Sequence, residues 1–140
     1  NQFELDYLSG RASKTLRQTR DAVKAVHDLG PSAILVTSLL TDVTPADAID
    51  VLASDASGCF IVRTPKLPLV VNGAGDAIAA LFFAHYLQAP NLAEVLSSAV
   101  SAIFGVLAKT AENGAREIQL VAAQDEIVKP SRVFTAEALV

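Results

Sequence analysis

Apolar positions recur along this chain in two periods, and the switches between them lay out the elements. Near the start, Phe3, Leu5, Tyr7 and Leu8 fall in a short helical turn that Gly10 closes. From Ser13 to Leu29, Leu16, Ala22, Val23, Val26 and Leu29 sit at helical spacing with Lys, Arg and Asp between them, and Gly30-Pro31 stops the helix. Ile34-Leu35-Val36 reads as a short buried strand, with the hydroxyls of Thr37 and Ser38 at its C-terminal end. Thr44-Pro45 has the form of an N-cap followed by proline at N1, which predicts a helix through about Leu52. Strands are expected at Gly58–Val62 and Leu67–Val71, the second at an edge because of Pro68. Ala77 to Leu87 is apolar nearly all round and ends before Pro90. Asn91 and Glu94 then open a strongly periodic helix (Leu92, Val95, Leu96, Ala99, Val100, Ile103, Phe104, Leu107) that Gly114 ends. Ile118–Val121 reads as a last strand, and Ala123–Lys129 as one or two helical turns before Pro130.

Strands alternating with helices predict a single α/β domain over residues 1–140, a mostly parallel sheet covered on both faces. A content of 51% hydrophobic and 19% charged residues suits buried strands, or a piece whose surface is meant to be covered. The net charge of −4 leaves no basic stripe for nucleic acid. Cys59 stands alone, which rules out an internal disulfide and fits a reducing, cytoplasmic compartment. No stretch is expected to reach the length of a membrane span. The chain begins at Asn1 without Met, which suggests a piece of a longer protein.

The candidate chemistry gathers at Val70-Val71-Asn72-Gly73-Ala74-Gly75-Asp76, where an apolar run ends in two glycines and a carboxylate opens a helix. Glycines there let backbone N–H groups approach a ligand, and a helix N-terminus favours negative charge. A carboxylate beside a phosphate is repulsive, so Asp76 either stabilises its own helix or takes a proton from a nucleophile. The P-loop pattern fails because no Gly-Lys-Ser/Thr follows, and the dinucleotide fingerprint fails because position 78 is Ile. Asn1 and Glu4, three apart, form either a capping pair or a polar pair aimed at a metal-bound water. Thr37 and Ser38 are strand-exit hydroxyls at the end of a strand where α/β sheets bind ligands. His27 and His85 read as helix-face residues and Cys59 as core.

Gly73-Ala74-Gly75-Asp76 is similar to the signature turn of the ribokinase-like small-molecule kinases, and Asn1-Gln2-Phe3-Glu4 to their Asn-x-x-Glu motif. The opening Asn1–Leu5 with Leu8–Arg11, and the tail Gln119–Asp125 with Phe134 and Leu139, resemble pyridoxal kinases in particular. Ala74 stands where many of these carry Thr or Val, and Asn72 replaces a usually apolar residue. The resemblance covers the whole chain but only the C-terminal half of such an enzyme. It implies a ribokinase-like three-layer α/β/α fold, incomplete without the N-terminal half, and ATP-dependent phosphorylation of the hydroxymethyl group of pyridoxal. Asp76 would be the general base, and Gly73, Ala74, Gly75 and Asp76 would form the anion hole. Thr37 and Ser38 would touch the ATP phosphates, Leu67, Val71 and Leu107 would flank the adenine, and Asn1 and Glu4 would orient water on Mg²⁺. A monovalent cation is a further candidate, as is a homodimer of the full-length enzyme. The isolated chain is expected to be inactive, because the vitamin pocket in that family lies largely in the other half. A sugar or nucleoside kinase of the same superfamily, or a non-catalytic nucleotide-binding domain, remains an alternative.

Overall fold

The structure, a computed structural model, describes residues 1–139. Its centre is β2 (Ala48–Asp55), paired on one side with β1 (Ile34–Leu39) and on the other with β3 (Gly58–Pro65), beyond which lies the two-residue β4 (Glu137–Ala138). Successive side chains of a strand point to opposite faces, and β2 uses both. Leu52, fully buried, packs with Ile34, Val36 and Leu39 against Leu5 of α1 (Gln2–Ser9) and Ala22, Val23 and Val26 of α2 (Leu16–His27). Val51 and Ala53, with Val62 of β3, face Ala77, Ile78 and Phe82 of α3 (Ala74–Tyr86) and Val95, Leu96, Ala99, Val100 and Ile103 of α4 (Leu92–Glu112). The sheet thus lies between two helical layers, the three-layer α/β/α arrangement expected. A fully buried leucine such as Leu39, Leu52 or Leu96 contributes about 1.5–3 kcal/mol.

The sheet differs from the expected parallel one: β1–β2, β2–β3 and β3–β4 are all antiparallel. Parallel neighbours need a crossover of a dozen or more residues, usually a helix. Here β2 and β3 join through Ala56-Ser57, where the Asp55 carboxylate accepts from the Ser57 N–H at 2.7 Å and its hydroxyl at 2.6 Å. The helix expected from Thr44 to Leu52 is instead the run into β2. Thr44 Oγ1 does not cap a helix; it accepts from the Thr41 N–H at 2.9 Å and donates to Asp50 at 2.7 Å. Asp50, fully buried on β2, is also held by a bidentate pair with Arg63 at 2.7 and 2.8 Å. Partners on both sides and the β-branched Ile49 and Val51 make this segment a strand.

No strand forms over Leu67–Val71 or Ile118–Val121; just outside them a single parallel bridge joins Asn72 and Glu117. Pro68 offers no N–H and Val70 is 94% exposed, so nothing there supports a ladder. α4 also corrects the expectation about membrane spans: by length and composition it could cross one. In this fold 56% of its apolar window is buried against the sheet and its neighbours, the position of a central core helix. A short α5 (Gln124–Val128) packs on α4, where Gly105 makes room for the Glu126 carboxylate.

Candidate active site

Three of the helices open on a side-chain cap. Asn1 accepts from the Glu4 N–H at 3.0 Å, Thr15 from Gln18 at 3.2 Å, and Asn91 from Ala93 at 3.0 Å. α3 has no such cap. Its N-cap is Gly73 at φ 87°, a left-handed conformation that glycine adopts without cost, and its first helical bond runs from the Ala77 N–H to the Gly73 carbonyl at 3.0 Å. The N–H groups of Ala74, Gly75 and Asp76 therefore have no partner within the helix and carry its positive end. A Cβ on Gly75 would meet nothing within 4 Å, so packing does not demand this glycine; space stands open beside its backbone. Asp76 lies exposed in the first turn of this helix.

Opposite this turn, β1 ends irregularly. Its register with β2 passes from Val36↔Leu52 to Leu39↔Asp50, so Thr37 and Ser38 together face Val51 alone. Ser38 takes φ 54°, a left-handed conformation costing a non-glycine residue roughly 1–2 kcal/mol. A strained residue in a bulge at a strand end is where sheets re-aim side chains toward ligands.

These pieces meet in one cleft of about 160 Å³. Thr37, Ser38 and Thr64 bring hydroxyls to it, and Ala74 and Gly75 bring backbone; Ile78, Ile103, Phe104 and Leu107 are among its apolar walls. Ser38 also borders a neighbouring hollow lined by Asn1, Gln2, Phe3 and Asp6. The structure thus gathers Thr37, Ser38, Ala74, Gly75 and Leu107, with Asn1 next door. Leu67 and Val71, which precede the glycine turn, do not line the cleft, nor do Gly73 and Asp76, which flank its Ala74-Gly75 edge; Glu4 lines neither hollow. No lysine or arginine among the described residues lines it, so the positive end of α3 is its attraction for an anion. Mostly apolar walls with a few placed polar groups are the ordinary form of a small-molecule site.

Asn1 and Glu4 form a complete capping box, the Glu4 carboxylate accepting in return from the Asn1 backbone nitrogen. Glu4 stays exposed, and no group of three His, Cys, Asp or Glu side chains converges among the described residues. That donor set fits Mg²⁺ held through water by one carboxylate, not a protein cage.

The model of the phosphomethylpyrimidine kinase family matches residues 1–121. The chain belongs to that family. It is 50% identical over 131 residues to the pyridoxal kinase PdxY of Rubrobacter xylanophilus, covering 93% of this chain and 45% of the relative. It is 43% identical over 134 residues to that of Leifsonia xyli subsp. xyli, covering 96% and 47%. The chain spans about half the length of the curated relatives it matches. Among solved structures it superposes on the pyridoxal kinase of Leishmania donovani in complex with ADP and pyridoxine with a TM-score of 0.84 at 22% identity, over 97% of this chain and 48% of that one. The fold is the ribokinase-like one expected, and it is shared at an identity where sequence similarity is faint.

Other polar groups of this family member lie away from the cleft. His27 stays on the face of α2, Nδ1 donating to the Pro31 carbonyl at 2.9 Å and Nε2 paired with Ser54 Oγ at 3.1 Å. Cys59 is half-buried beside it, and burial pushes its thiol up from the ordinary value. Two polar residues join the site without a strong local sequence signal. Thr64 enters because β3 runs on to Pro65, past the expected end at Val62. Gln2 enters because α1 packs on the β1 exit; its place inside the Asn-x-x-Glu spacing was the available clue.

Proposed function

We propose that these residues form the ATP-binding and catalytic half of a kinase that phosphorylates the hydroxymethyl group of pyridoxal. The observation that carries this reading is the uncapped N-terminus of α3, with Asp76 in its first turn, set across one cleft from Thr37 and Ser38. It is supported by 50% identity to a pyridoxal kinase over 131 residues. The N–H groups of Ala74, Gly75 and Asp76 face the transferring phosphoryl and stabilise its spreading charge, with Gly73 setting the turn. Asp76 takes the proton of the attacking hydroxyl, a role worth about 10²–10⁴-fold. The carboxylate and the amides thus serve different atoms, which removes the conflict between an acid and a phosphate at one turn.

Thr37 and Ser38 donate to ATP phosphates, and Leu107 with the neighbouring apolar wall borders the adenine; Leu67 and Val71 approach it only if the 67–71 segment shifts on binding. Asn1 and Glu4 would orient water around Mg²⁺, which when bound neutralises phosphate charge. The chain spans half the length of its relatives, so turnover requires the remaining half, and the full-length enzyme is proposed as a homodimer. The family model favours a second reading, a phosphomethylpyrimidine-type acceptor at the same turn. A polypeptide of the relatives' full length carrying these residues should be assayed with ATP against pyridoxal, pyridoxine, a hydroxymethylpyrimidine and ribose. Preference for the pyridine acceptors supports the proposal, preference for the pyrimidine or ribose replaces it, and turnover of none refutes it.

A further inference from the structure

We propose that Gln2 is a positioning residue whose side-chain amide holds the Thr37–Ser38 bulge against the opening turn of α1. The inference rests on the reading of Thr37 and Ser38 as phosphate contacts.

The Gln2 amide is saturated by backbone. Its Oε1 accepts from the Leu40 N–H at 3.0 Å, and its Nε2 donates to the Leu40 carbonyl at 3.0 Å and to the Ser13 carbonyl at 2.8 Å. The reciprocal pair with Leu40 copies the exchange that a neighbouring strand would make. It comes where the sheet can no longer supply one: the last β1–β2 pair is Leu39↔Asp50, and Leu40 lies past it. Ser38, at φ 54°, lies between the ladder pairs of Val36 and Leu39, and the Gln2 clamp on Leu40 extends the hold on its C-terminal side. A left-handed serine persists only where its surroundings over-determine it. Farther along, the Thr41 N–H donates to Thr44 Oγ1 at 2.9 Å and the Asp42 N–H to the Lys14 carbonyl at 2.9 Å, so the clamp begins a held loop.

The position of Gln2 gives the clamp its meaning. It follows Asn1, the N-cap of α1, and it lines with Ser38 the hollow adjoining the cleft. The element that carries the Asn1/Glu4 pair is thereby tied to the bulge that carries the hydroxyls. Glutamate at this position would keep the acceptor and lose both donors, and its charge would face two carbonyl oxygens. Methionine would keep the length and lose every bond.

The test compares the wild-type chain with Gln2→Met by amide hydrogen exchange in NMR and by calorimetric titration with Mg·ATP. The clamp predicts that the Leu40 amide exchanges roughly tenfold faster in the variant, while amides in the middle of α4 keep their protection. It further predicts Mg·ATP affinity weakened by roughly tenfold. If Gln2→Met does not fold, Gln2→Glu replaces it, with part of the Leu40 protection kept and affinity still weakened. Unchanged Leu40 protection overturns the clamp. Lost protection with unchanged affinity overturns its role at the site. A wild-type chain that does not bind Mg·ATP refutes the phosphate reading itself, on a signal separate from Leu40 exchange.

Discussion

Gly105→Ala gives a test in which two physical arguments predict opposite signs. Gly105 lies inside α4, and alanine there gains about 0.8–1 kcal/mol of helix propensity. A Cβ at that position would overlap Glu126 Oε2 and stand 2.7 Å from its Cδ and 2.9 Å from its Cβ. The conflict involves the base of the side chain as well as its tip, so a rotamer change alone does not relieve it. The displaced carboxylate loses the Ser131 N–H at 2.8 Å, a bond to a charged group worth about 1.5–3 kcal/mol. It also loses Lys109 at 3.5 Å, a half-exposed pair worth about 0–1 kcal/mol. Overpacking adds about 1–3 kcal/mol. Setting the propensity gain against these losses leaves a destabilisation of about 1.5–6 kcal/mol, a fall in Tm on the order of 5–20 °C for a chain this size. Urea and thermal unfolding followed by circular dichroism would measure it. The double variant Gly105→Ala/Glu126→Ala should recover part of the loss, because the pair is in contact and non-additive. A single variant as stable as wild type, or more stable, would refute the Gly105–Glu126 packing argument.

Two further outcomes follow from the same geometry. Glu126 is held below its ordinary value of 4.5 chiefly by the Ser131 N–H, with burial opposing and Lys109 assisting. Its folded pKa lies below its unfolded one, so its stabilisation is complete above about 4.5 and is lost as pH falls through the folded value. The stability gap between wild type and Glu126→Gln should therefore be flat at neutral pH and narrow in acid; a gap that widens in acid reverses the assigned sign. Ser38→Gly removes a left-handed cost of roughly 1–2 kcal/mol and adds a glycine entropy cost of roughly 0.5–1 kcal/mol, so stability should hold or rise slightly. Mg·ATP affinity should fall in the same variant, since a hydroxyl and a fixed backbone are both lost; an affinity equal to wild type would remove Ser38 from the phosphate contacts.

Helices were legible in the sequence because each carried its own local evidence. Asn1 with Glu4 and Asn91 with Glu94 announced the starts of α1 and α4, and both cap as their residue types require. The sheet was less legible, since antiparallel pairing depends on what joins the strands. Thr44-Pro45 gave a sound local signal for a helix, and it was overridden by Asp50, whose buried carboxylate takes the Thr44 hydroxyl and the Arg63 guanidinium together. Leu67–Val71 has the composition of a strand, but a strand needs a partner, and pairing begins only at Asn72, just past it. At the site, the glycines and Asp76 were visible as a motif. The bulge at Thr37-Ser38 and the grip of Gln2 on Leu40 were not, because a register slip and a contact across 38 positions leave no local periodicity.

We propose Asp76 as the proton acceptor at an otherwise open helix N-terminus. Asp76→Asn in a polypeptide of the relatives' full length keeps the size and the backbone of that turn and removes the base. The expected result is a kcat for pyridoxal lowered by about 10²–10⁴-fold, with Mg·ATP affinity unchanged or slightly stronger. Turnover close to that of the unaltered enzyme would contradict it.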